Sequence, residues 1–65
     1  MSLYDYKISR EIFESDYPFY ALIMAAMRQG DEFNVTKLKA AFPEVFKELL
    51  MRYNSGGGML EGEEQ

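Results

Sequence analysis

Residues Phe19 to Met27 read Phe-Tyr-Ala-Leu-Ile-Met-Ala-Ala-Met, with no charged side chain among them. Wound into a helix, this run is apolar on every side, and such a helix must be covered on most of its circumference. It falls short of the 18 or more apolar residues that a membrane span needs. The run therefore predicts a central helix with shorter helices packed around it. Ala21, Ala25 and Ala26 would let neighbouring helices approach closely.

The flanking residues set out four helices. The first spans about Tyr4 to Ser15, with Ile8, Ile12 and Phe13 on one side and Lys7, Arg10, Glu11 and Glu14 on the other. Asp5 is a candidate cap for it, in competition with Ser2. Asp16 is expected to cap the second helix, with Pro18 in its first turn and Gly30 as a left-handed stop after Gln29. Asn34 is expected to cap a third helix, Val35 to Ala41, after a short Asp31-Glu32-Phe33 connection. Phe42 precedes Pro43 and is steered away from helical geometry, and Pro43 suits the first position of a fourth helix. That helix carries Val45, Phe46, Leu49, Leu50 and Tyr53 on one face and a Glu48–Arg52 pair at i, i+4 on the other. Asn54 ends it.

The chain is thus expected to be all-α: a small bundle of three to four short helices in one domain over residues 1–54. Residues 55–65, Gly-rich and then acidic, form a flexible tail expected to be disordered.

Composition removes most chemistries. With no Cys and no His in 65 residues, there is no disulfide framework, no thiol or Ser-His-Asp nucleophile and no ordinary zinc site. Asp31-Glu32 lies in a connection, where two carboxylates are rarely held at a catalytic separation. Gly56-Gly57-Gly58 runs into Met59-Leu60-Glu61, and so lacks the Gly-Lys-Ser/Thr ending of a phosphate loop. No catalytic residue, no cofactor-binding residue and no metal ligand is expected, and the chain reads as a non-enzyme with no evident small-molecule substrate. Without a secretory leader or a membrane span, a cytoplasmic protein is expected.

Ten Phe and Tyr residues and five Met remain. They exceed what four short helices comfortably hide, since a chain of this length buries only about 60% of its unfolded surface. Aromatic and Met side chains are favoured where proteins dock. Tyr17, Tyr20, Met24 and Met27 form one stripe of the second helix. They are the candidate interaction surface, open if the other three helices cover the opposite side. The expected partner is a protein, or a second copy in a homodimer.

The alternative is a helix-turn-helix DNA-binding regulator over residues 34–53, contacting nucleic acid through Lys37, Lys39, Lys47 and Arg52. Glu44 and Glu48 on its second helix oppose that role. The net charge of −4 also opposes it at first sight, but three of the 11 acids, Glu61, Glu63 and Glu64, lie beyond the glycines. Through Asn54 the balance is seven basic against eight acidic residues. A nearly neutral body neither attracts phosphate nor repels its own copies.

The run Tyr17 to Arg28, with Phe42-Pro43-Glu44-Val45 and Arg52-Tyr53-Asn54 followed by glycines, resembles short uncharacterised proteins of bacteriophages, prophages and other bacterial mobile elements. The similar region covers roughly Ile8 to Gly58. The resemblance implies a bacterial cytoplasm and an accessory or regulatory role. It carries over no functional residue, because no activity is assigned to such proteins.

Overall fold

A computed structural model describes residues 1–63 and shows an all-helical chain; no strand occurs among the described residues. Four α-helices follow in order: α1 (Leu3–Glu14), α2 (Phe19–Gln29), α3 (Glu32–Ala41) and α4 (Pro43–Tyr53). A single 3-10 turn, Gly56–Gly58, comes after them. The all-α bundle anticipated from the sequence is what forms. Its working core, however, has three helices: α2, α3 and α4 pack against one another, and α1 packs against none of them.

Ser2 caps α1, its hydroxyl accepting from the Asp5 N–H at 3.2 Å. Asp5 instead sits in the first turn, where its carboxylate suits the positive helix end and accepts from the Ser2 hydroxyl at 3.1 Å. Asp16 does not cap α2. It adopts a left-handed backbone, φ 56°, and its N–H donates to the Phe13 carbonyl at 3.1 Å. It therefore terminates α1, a position that Asp tolerates better than most residues with a Cβ. Helix α2 starts from Pro18 with no side-chain cap.

At the next junction the cap is Asp31, not Asn34. The Asp31 carboxylate accepts from the Asn34 N–H at 2.8 Å, and α3 begins at Glu32, earlier than expected. Asp31 and Glu32 are thus a cap and a first-turn residue. Gly30 also differs from expectation. Its φ of −71° and ψ of 153° are open to any residue, so left-handed freedom is not its role. A Cβ there would lie 3.1 Å from the Ala26 carbonyl oxygen and 3.2 Å from Val35 Cγ2. The glycine lets the end of α2 and the start of α3 close on each other. Gly30→Ala is expected to destabilise the chain by about 1 kcal/mol, the lower end of overpacking costs, as read from the denaturation midpoint.

The core is small. Met27 and Leu49 are the buried hydrophobic residues, with Leu22, Ile23, Met24, Val35, Leu38, Phe42, Val45 and Phe46 half-buried around them. Phe42, at the α3–α4 corner, meets the Phe19 ring edge-on at a centroid distance of 6.2 Å. The pre-proline position behaves as its chemistry requires: Phe42 leaves helical geometry, and Pro43 opens α4. Ala21, Ala25 and Ala26 face solvent rather than a close-packed neighbour, which corrects the role expected for them.

Candidate functional site

A helix of 3.6 residues per turn places Tyr20, Met24 and Met27 on one side of α2. The sequence had this side open, with the other helices behind it. The structure reverses the arrangement: α3 and α4 pack on the Met27 side, and Met27 is only 5% exposed. Met27 is a core residue and leaves the candidate surface. Tyr17 and Tyr20 stay exposed, at 58% and 59%, and Met24 is half-buried.

Tyr20 and Met24 instead form one wall of a groove between α2 and the first turns of α4. Val45 supplies the opposing apolar wall, and Glu44 and Glu48 complete the lining, in an open volume of about 370 Å³. The groove continues past Tyr20 into a second recess of about 290 Å³, lined by Ala41, Phe42, Pro43, Glu44 and Val45. The spacing of α4 explains the composition. Val45 turns toward the core, and Glu44 and Glu48, four residues apart, share the edge beside it. The result is an apolar channel with an acidic rim. The stripe read from the sequence contains Tyr20 and Met24, whereas Glu44 and Glu48 entered only as residues that repel phosphate and, for Glu48, as the partner of Arg52. Their i, i+4 spacing beside Val45 was the available signal.

The four candidate nucleic-acid contacts do not come together. Lys37 and Lys39 are two residues apart on α3 and so diverge by about 200° around the helix. The Lys37 ammonium lies over the Phe33 ring, 4.2 Å from its centre, and Lys39 lies over Phe46 at 5.0 Å. Lys47 stands on the exposed side of α4. Arg52 is engaged elsewhere. Its Nε lies 3.6 Å from Glu48 Oε2, its Nη1 donates to the Gly58 carbonyl at 2.9 Å, and both terminal nitrogens donate to Glu63.

This Arg52–Glu63 pair ties the Gly-rich segment back onto α4. The Glu63 carboxylate also accepts from the Leu60 N–H at 2.9 Å. Hydrogen bonding from Arg52, with a further contribution from the Leu60 amide, holds the Glu63 pKa down from 4.5 to about 2. Because the pKa is depressed, the contribution of the clasp is complete above about pH 4.5 and fades as pH falls through about 2. A carboxyl titration followed by NMR is expected to show Glu63 among the last acids to protonate. Glu63→Gln is expected to speed amide exchange at Leu60 at neutral pH while leaving α2–α4 unchanged. Glu64, the last of the tail acids, lies outside the described residues.

No group of three or more potential metal-ligating side chains occurs among the described residues, and no described helix is long and apolar enough to cross a membrane. Comparisons with protein-family models, curated proteins and solved structures found no match to this chain.

Proposed function

We propose that this chain is a non-enzymatic protein-interaction module whose docking surface is the acidic-rimmed groove between α2 and α4. The observation that supports this most is the combination at that groove: an apolar channel of Tyr20, Met24 and Val45, with Glu44 and Glu48 at its edge. Such a surface fits an amphipathic helix that lays apolar anchors into the channel and places Lys or Arg beside the carboxylates. The anchors supply affinity, and the charges set register and orientation. A small binding protein of this kind would suit the accessory or regulatory role implied by the resemblance to mobile-element proteins.

The test is an NMR titration of the full chain with a synthetic helical peptide that carries Leu and Phe on one face and Lys along its edge. Shift changes concentrated at Tyr20, Met24, Glu44, Val45 and Glu48 are expected, with affinity falling about tenfold in Glu44→Lys/Glu48→Lys. Duplex DNA at low salt is the control, since phosphate attraction is strongest there. Shifts spread evenly over the surface, or tight DNA binding with no response to the peptide, would remove this reading.

A further inference from the structure

Among the described residues nothing occupies the groove, and α1 packs against no other helix. Leu3, Tyr6 and Phe13 recur along α1 at a spacing that brings them to one side, and they are 68%, 61% and 82% exposed. Arg10 lies in the same row with Lys7 beside it, and Glu14 follows one turn beyond Arg10. Helix α1 therefore carries an apolar face flanked by Lys7 and Arg10 through its middle turns, with Glu14 at its far end, and the groove is an apolar channel with an acidic rim. Resting on the reading of that groove as a docking site, we infer that its occupant is α1 of a second copy of this chain, exchanged reciprocally so that two chains form a symmetric dimer.

Three further observations support a second copy. The first is area. The accessible surface is 5880 Å², whereas a compact monomer of this mass has about 4,300 Å². The excess is roughly twice the ~800 Å² that each partner contributes to a standard interface, which is the scale of an obligate dimer. The second is the joint. Ser15 to Pro18 is short, Asp16 is left-handed and Pro18 extended, and the joint leaves α1 off its own bundle. A terminal element displaced by a short hinge is the usual route to reciprocal exchange. The third is charge: a body close to neutral does not oppose self-association.

Sedimentation velocity on the full chain tests the inference. The wild type is expected to be a dimer, and Lys7→Glu/Arg10→Glu and Glu44→Lys/Glu48→Lys are each expected to weaken it about tenfold or more. An equimolar mixture of the two variants is expected to regain the dimer, because each α1 then meets a groove of opposite charge. The lysine-rich peptide is expected to dissociate the wild-type dimer by competing for the groove. Circular dichroism confirms that each variant folds. Should a charge variant lose helicity, Phe13→Ser serves in its place, since that side chain makes little contact within one chain. A dimer indifferent to Phe13→Ser and to both charge reversals overturns the inference. So does a mixture that stays monomeric, the outcome expected if α1 folds back onto its own groove. A wild-type monomer at all concentrations that still binds the peptide in its groove overturns the exchange and leaves the docking function standing; a monomer that binds no peptide removes both.

Discussion

Leu49→Ala is expected to leave much of the chain unfolded at room temperature. Leu49 and Met27, 9% and 5% exposed, are the two most deeply buried hydrophobic side chains among the described residues, one from α4 and one from α2. Truncating a buried Leu costs about 2–5 kcal/mol, counting the lost transfer energy and the cavity left behind. A core in a domain of this size rarely supplies more than about 3–5 kcal/mol in total. The substitution therefore removes most of the margin, whereas Leu49→Met, which conserves volume, is expected to cost less than about 1.5 kcal/mol. Chemical denaturation followed by circular dichroism, at one fixed protein concentration, checks both. A Leu49→Ala chain as stable as the wild type would mean that the three helices are held together at another point.

The next largest effect is expected at Phe42. Its half-buried ring fills the corner between α3 and α4 and contacts Phe19 at the start of α2, so one side chain links all three packed helices. Phe42→Ala removes that apolar area and an aromatic pair worth about 0.5–1.5 kcal/mol beyond the area itself. A loss of about 2–3 kcal/mol is expected, below the cost for a fully buried ring because part of this one stays wet. Phe42→Leu is expected to recover part of the loss, since a branched aliphatic side chain still fills the corner. Thermal melts of the two variants, run side by side, give the comparison.

The all-helical architecture was legible because its signals are local. The uninterrupted apolar run at Phe19–Met27, the Phe42-Pro43 step and the i, i+4 pair of Glu48 and Arg52 each act within one or two turns of the chain, and each appears where expected. Capping was less legible for a related reason. Asp31 and Asn34 are both good caps three residues apart, and the choice between them rests on which one receives the other's N–H. Asp16 had two local uses, stopping one helix or starting the next, and the backbone adopted the first.

The candidate site was only partly legible. A helix that is apolar all round has no preferred direction, so nothing in Phe19–Met27 said which side α3 and α4 would take. Tyr20 and Met24 were found from their stripe, and Met27 was misplaced by the same stripe. The i, i+4 spacing of Glu44 and Glu48 marks an acidic edge on α4, but that edge becomes a groove rim only when α4 lies alongside α2, a placement that local spacing does not announce. The clasp between Arg52 and Glu63 joins residues eleven apart across a turn of glycines, beyond the reach of any periodicity.

The joint before α2 has an energetic consequence for any partner that α1 meets. Pro18 fixes its own φ and narrows the choices of Tyr17 before it, and Asp16 is held in a small left-handed basin. A helix carried on glycines would sweep a wide cone, and a partner would have to halt that motion on binding. Here Pro18 and the pre-proline Tyr17 have given up part of that freedom before any encounter. That part of the orientational entropy is already spent, and more of the free energy of contact goes into affinity rather than into stilling a tether.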